Sequence, residues 1–240
     1  MLETNVIYNG DCIGENGMQR LPDKSIDLIV TDPPYNASKS NMKSDNKDYN
    51  SVNEKWDKNF KIDFVEIAWD KLKDTGSMLI FCDYHTINQY LNWQEVRQIL
   101  HWEKSNAFPA LAKVYTFSFE YILWYTKGSP YTFNKKKAGR DKITTPICSG
   151  NERTKHPTQK PIKLIDKLIE VHSNENDIVL DPFIGSGTTA VACLKNDRKF
   201  IGFEKEEKYY NIALKRIGKF NKSYYEELNE EMKPKQEQLF

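Results

Sequence analysis

The chain has 240 residues and four widely separated cysteines, none in a C-x-x-C pair. That spacing excludes a zinc ribbon and a disulfide framework; it leaves free thiols and no expected metal site. The formal net charge is only +1, so no global field draws the chain to nucleic acid or lipid. Any such attraction must come from local clusters. No apolar run approaches the roughly 20 residues of a spanning helix, and residues 1–10 carry no basic stretch leading into a long apolar one. A cytoplasmic chain without membrane contact is therefore expected. Neither G-x-G-x-x-G nor G-x-x-x-x-G-K-[ST] occurs, so the common dinucleotide and nucleoside-triphosphate fingerprints are missing. No internal repeat is visible.

What is present is an alternation. Hydrophobic residues make up 39% of the chain, enough to cover both faces of a sheet. Strand-length apolar runs fall at 5–8, 26–30, 78–82, 120–125, 178–180 and 199–203. Helical spacing falls between them, at 60–74, 86–100, 161–173, 188–196 and 206–220. In the first of these helices Phe64, Val65, Ala68, Trp69 and Leu72 share a face, with Gly76 as a C-terminal stop. Pro161 opens the third at a permitted position. This rhythm predicts one α/β domain over 1–240, doubly wound and mostly parallel, with helices on both faces.

Two segments break the rhythm. Residues 36–59 are polar and aperiodic, as expected of a mobile functional loop. Residues 128–160 collect Lys135, Lys136, Lys137, Arg140, Lys142, Arg153, Lys155 and Lys160 against only Asp141 and Glu152. The part from 128 to 155 reads as a small basic insert.

Two peptides carry the chemistry, and each follows a predicted strand. One is T-D-P-P-Y-N at 31–36, the other D-P-F-I-G-S-G-T-T at 181–189. In an open parallel sheet, ligands gather at the carboxyl ends of strands. Pro33 and Pro34 supply no N–H, so the first peptide offers acceptors and few donors. The Asp32 carboxylate and the Pro33 carbonyl can both accept from one –NH₂ group, and Tyr35 can stack on a ring. In the second peptide Gly185 and Gly187 permit positive φ and close backbone approach. The amides opening the next helix can receive a carboxylate. Glu204, ending the following strand, stands where an acid accepts hydrogen bonds from ribose hydroxyls. It could equally be an acid placed at a helix start by the dipole.

With both motifs in view, the chain resembles the β class of DNA amino-methyltransferases. That class places D-P-P-Y (here Asp32 to Tyr35) before F-x-G-x-G (here Phe183 to Gly187). The segments F-E-Y-I-L-W-Y-T-K-G at 119–128 and K-H-P-T-Q-K-P at 155–161 are similar as well. The resemblance implies a Rossmann-like sheet that uses S-adenosylmethionine (AdoMet) to methylate an exocyclic base amine in double-stranded DNA. It implies Asp32, Pro33, Pro34 and Tyr35 as the catalytic edge. It implies a cofactor site of Asp11, Cys12, Asp32, His156, Thr158, Lys160, Asp181, Phe183, Gly185, Ser186, Gly187, Thr188 and Glu204. Within it, Asp11 and Cys12 meet the adenine.

A target base rotated out of the duplex follows from the same chemistry. The insert at 128–155 is then the recognition region, with Lys135, Lys136, Lys137, Arg140, Lys142 and Arg153 on phosphates. D-P-P-Y favours adenine N6. Cytosine-N4 enzymes more often carry serine first, protein glutamine enzymes carry N-P-P-Y, and RNA adenine enzymes D-P-P-W. An inactive DNA-binding subunit is the remaining alternative. A homodimer and a separate cognate restriction endonuclease are the expected partners besides DNA.

Overall fold

The computed structural model describes residues 3–35, 60–110 and 113–219. The polar loop expected at 36–59 and the charged tail at 221–240 lie outside the described residues. Among the described residues, eight strands form one sheet: β1 (Val6–Asn9), β2 (Ile26–Thr31), β3 (Leu72–Cys82), β4 (Gln98–Lys104), β5 (Phe119–Thr126), β6 (Lys142–Thr145), β7 (Ile178–Asp181) and β8 (Lys199–Glu204). Their order is β1-β8-β7-β2-β3-β5-β4-β6. Among the described strands only β5 runs against the others.

Alternation along the strands splits the core in two. Leu28, Val30, Leu79, Phe81, Ile122 and Val179 point to one face. Ile29, Met78, Ile80, Leu123 and Leu180 point to the other, as a period of two requires. The first face is covered by α3 (Ile162–His172), α4 (Thr188–Lys195) and α5 (Glu207–Gly218). The second takes α1 (Phe64–Lys71) and α2 (Ile87–Leu91). In α3, Leu164, Ile165, Leu168 and Ile169 are all buried, which is the stripe an amphipathic helix needs. Each such side chain contributes about 1.5–3 kcal/mol on burial. The sheet is therefore doubly wound and mostly parallel, as the alternation implied.

Three expectations need correction. The helix predicted over 60–74 ends at Lys71, because Leu72 turns extended and joins β3 beside Ile26. Gly76 is not a helix stop. It lies inside β3, where an added Cβ would stand 2.6 Å from Leu72 Cδ1 and 2.8 Å from the Asp27 carbonyl. The helix predicted over 86–100 is only the short α2. From Gln98 the chain becomes β4, because Gln98 to Glu103 pair with β5 across an antiparallel ladder. Finally, the basic insert is not one surface. Its start lies at the amino edge of the sheet: the Thr132 N–H donates to the Thr75 carbonyl, and the Asn134 N–H to Val171 at the end of α3. β6 then carries the chain alongside β4 to the opposite edge.

Candidate active site

The carboxyl ends of β1, β8, β7, β2 and β3 share one edge of the sheet. Because β5 is antiparallel, its first residues reach that edge too. There, β2 gives way to Asp32-Pro33-Pro34-Tyr35, a stretch without regular structure.

Asp32 lies in a network of charge. The Tyr35 hydroxyl donates to Asp32 Oδ1 at 2.5 Å and stands 3.2 Å from Glu120 Oε2. The Lys160 ammonium donates to Asp32 Oδ2 and lies 3.1 Å from Glu120 Oε2. Lys104 Nζ lies 2.8 Å from the other oxygen of Glu120. Lys160 keeps 7% of its side chain exposed and Asp32 21%. Burial pushes the Asp32 carboxyl up; Lys160 pulls it back, Glu120 pushes it further, and the balance lies above the usual range. For Glu120, burial also raises the carboxyl, but the charges of Lys160 and Lys104 outweigh it and hold the group low. Burial would lower the Lys160 ammonium, yet the two carboxylates hold it above its ordinary value. Lys160 is therefore charged, and Tyr35, raised well above its normal value by burial and then by Asp32 and Glu120, is a neutral donor.

The second peptide turns sharply after β7. Gly185 has φ +53° and Gly187 φ +78°, the left-handed region where a side chain is strained. A Cβ on Gly185 would stand 2.9 Å from His156 Nε2. His156 itself packs against the Tyr209 ring at 4.3 Å. Burial, then the cations around it, push the imidazole down to about 3, so it is neutral. On Gly187 a Cβ would meet Ala213 of α5 at 3.0 Å. The Asp181 carboxylate accepts from the Phe183 N–H at 3.1 Å and the Thr189 hydroxyl at 2.6 Å, and burial raises it to about 7. Arg216 of α5 braces the turn from below, donating to the Ser186 carbonyl, the Ser186 hydroxyl and the Thr188 hydroxyl, each at 2.9 Å. The Thr188 hydroxyl donates to the Lys160 carbonyl at 3.1 Å, which ties the glycine turn to the lysine beside Asp32.

A cleft of about 630 Å³ runs between the two peptides. Of the residues named from sequence, Asp11, Cys12, Asp32 to Tyr35, His156, Thr158, Phe183, Gly185 and Glu204 line it. Lys160, Asp181, Ser186 and Thr188 do not; with Asp32, His156 and Thr158 they enclose a small adjoining void beneath. Gly187 lines neither and faces α5. At the rim, the Asp11 carboxylate accepts from Lys205 at 2.8 Å and from the Ile13 N–H at 3.1 Å. The Cys12 thiol is buried and pushed up to about 12, so it is no nucleophile. Burial raises Glu204 to about 7 although the Glu206 N–H donates to it at 2.7 Å.

The basic residues divide. Lys137 lies 3.8 Å from Glu170, and Lys167 donates to the Lys137 carbonyl, so Lys135 to Lys137 sit by the end of α3 at the edge opposite Asp32. Lys142 pairs with Glu103 at 3.0 Å, and Arg140 is exposed just before β6. Arg153 lies at the Asp32 edge, where it donates to the Pro157 carbonyl at 3.0 Å, and its neighbour Glu152 accepts from the Ile162 N–H that opens α3. Lys135, Lys136 and Lys137 are thus not brought to the candidate site, because the chain leaves β5 at its far end.

Glu120, Lys104 and Arg216 were missed from sequence. Glu120 left a trace, as a lone acid at the start of an apolar strand. Lys104 left none without β4.

Residues 26–215 match the N6_N4_Mtase family, described as DNA methylase. The chain belongs to that family. It is 36% identical to the type II methyltransferase M2.MboI of Moraxella bovis, covering 88% of this chain and 86% of the relative. It is 34% identical to the type II methyltransferase M.HinfI of Haemophilus influenzae, covering 96% and 73%. Among solved structures, the M1.HpyAVI–SAM complex superposes with a TM-score of 0.67 at 36% identity, covering 88% of this chain and 98% of that one. The cytosine-N4-specific PvuII DNA methyltransferase gives a TM-score of 0.72 at 17% identity, over 94% of both chains. That likeness shows the fold alone. The protein is thus a DNA amino-methyltransferase. Among the described residues no helix is long and apolar enough to cross a membrane.

Proposed function

We propose that this methyltransferase transfers a methyl group from AdoMet to adenine N6 in double-stranded DNA. The observation that carries the reading is the shared cleft: the acceptor-rich peptide at Asp32 and the glycine turn at Gly185 line one cavity.

The residues fit the cofactor. The volume falls in the range of ligand sites. Gly185 lines the cleft, and its left-handed backbone against His156 leaves no place there for a side chain. Glu204, at the end of β8 and lining the cleft, would accept from ribose hydroxyls, and the amides opening α4, beside the adjoining void, would receive a carboxylate. Phe183, Cys12 and Asp11 line the cleft and would form the wall for the adenine. When bound, AdoMet supplies a sulfonium methyl whose C–S bond breaks with its electron pair passing to sulfur.

Asp32 and the Pro33 carbonyl accept the hydrogens of the target amine and turn its lone pair toward that methyl. As the N–C bond forms, one N–H proton leaves the nitrogen; the Asp32 carboxylate accepts it and releases it to solvent. Tyr35 offers the base a ring face. Lys160 keeps the enclosed carboxylate ionised before the step. Positioning and charge are the main demands on the protein.

Of the predicted DNA contacts, Arg153, exposed at the Asp32 edge, is the one proposed to meet phosphates beside a flipped base. A homodimer and a separate cognate endonuclease complete the proposed partners. Labelled AdoMet and plasmid DNA, followed by nucleoside digestion and chromatography, test the reading. Label in N6-methyladenine supports it, and label in N4-methylcytosine overturns the base assignment. Unlabelled DNA overturns the transfer.

A further inference from the structure

Glu120 belongs to neither motif and does not line the cleft. It is nevertheless the point where cations from two other elements meet. Lys104 comes from the end of β4 and Lys160 from the segment before α3. The Glu120 side chain is 14% exposed, and a carboxylate so enclosed is costly unless paired on both sides. The Trp102 ring lies 5.2 Å below Lys104 and 5.8 Å below Lys160, which narrows the directions either ammonium can take. The groups facing Glu120 are therefore Lys104, Lys160, Asp32 and the Tyr35 hydroxyl, with the raised, neutral thiol of Cys82 nearby.

This arrangement decides how Asp32 is held. Lys160 divides its ammonium between Asp32 and Glu120, and the Tyr35 hydroxyl lies between the same two carboxylates. Both donors stand closer to Asp32 than to Glu120, one on each Asp32 oxygen; Glu120 sets the direction from which they approach, and each Asp32 oxygen keeps a further acceptor position for a substrate amine. The negative charge of Glu120 also makes Asp32 a better acceptor.

We propose that Glu120, anchored by Lys104, is a positioning residue for methyl transfer: by taking the second contact of Lys160 and of Tyr35 from behind, it fixes how both hold Asp32, so that the carboxylate faces the cleft able to accept the target amine. The inference rests on the methyl-transfer reading above.

The test compares wild-type protein with Glu120→Gln. DNA methylation is measured against pH, and AdoMet affinity by calorimetry. The amide keeps the shape and loses the charge. We expect kcat to fall about ten- to a hundredfold through misplacement of the acceptor, with AdoMet affinity unchanged. The acid limb of kcat should move to lower pH, since removing a neighbouring negative charge makes Asp32 less basic. A merely structural role would not move that limb. Glu120→Asp, which keeps the charge, should return the limb to its wild-type position. Wild-type kcat and an unmoved limb in Glu120→Gln overturn the inference. If that variant fails to fold, Lys104→Met serves instead: lowered kcat at unchanged AdoMet affinity supports the role, and wild-type kcat overturns it. Failure of the wild-type protein itself to methylate DNA would sink the underlying reading, a separate result.

Discussion

Asp32 and Lys160 stand 128 positions apart in the chain and meet as an ion pair at the carboxyl edge of the sheet. One follows β2 and the other precedes α3. The fold joins them because β7, into which α3 leads, lies directly beside β2. A cation this buried does not loosen readily, so the acceptor peptide and the glycine turn are held at a fixed spacing through Lys160 and Thr188.

Lys160→Met leaves Asp32 and Glu120 as neighbouring buried carboxylates with one compensating cation fewer. Breaking such a pair costs about 3–5 kcal/mol. The Asp32 pKa should rise further, because the group that lowers it is gone. Thermal unfolding should show the loss, and the acid limb of residual methyl transfer should move to higher pH. That is the opposite direction from Glu120→Gln.

Glu204 sets a pH dependence on cofactor binding. Its carboxyl is raised to about 7 in the folded protein, so it loses its charge as pH falls through that value. AdoMet affinity should weaken from pH 8 to pH 6, and Glu204→Gln should remove most of that dependence. The effect on stability has the opposite sign. Asp181 and Glu204 bind protons more tightly folded than unfolded, so they favour the fold below the unfolded value near 4 and lose that contribution as pH rises toward about 7. Urea titrations at pH 5 and pH 8, read against Asp181→Asn, check it.

Gly185→Ala combines a left-handed backbone with a contact onto His156. The backbone term alone is about 1–2 kcal/mol. Both Tm and AdoMet affinity should fall. Adding His156→Ala should recover part of the loss, because it removes the contact but not the backbone strain. No recovery in the double variant would show that strain carries all of it.

DNA affinity should respond to the two groups of cations differently. Arg153→Gln should reduce the slope of log affinity against log salt by about 1. Replacing Lys135, Lys136 and Lys137 together by glutamine should leave it unchanged, since they lie at the far edge of the sheet. Binding titrations over a salt series separate the two.

These last residues also show where sequence reading stops. The strands flanking both motifs were legible because each is a short apolar run ended by a turn signal, and D-P-P-Y and the glycine turn mark their own chemistry. The cleft followed from strand order, once both peptides were taken as carboxyl ends. β4 was not legible: Q-I-L-H-W-E-K has no clean alternation, and only pairing with β5 makes it a strand. Losing β4 hid Lys104, and with it the reason for an acid at Glu120. The three consecutive lysines looked like part of one basic surface because sequence proximity carries no information about which end of β5 the chain leaves from. Arg216 could not be found at all, since its partners are backbone and hydroxyl groups of a turn 28 to 30 positions away.

The most direct test of the central claim is single-turnover transfer of labelled methyl to DNA by Asp32→Ala, with AdoMet binding measured on the same preparation. AdoMet should still bind, and the transfer rate at saturating AdoMet should be lowered by at least about 10²–10³-fold. Transfer at the wild-type rate would contradict it.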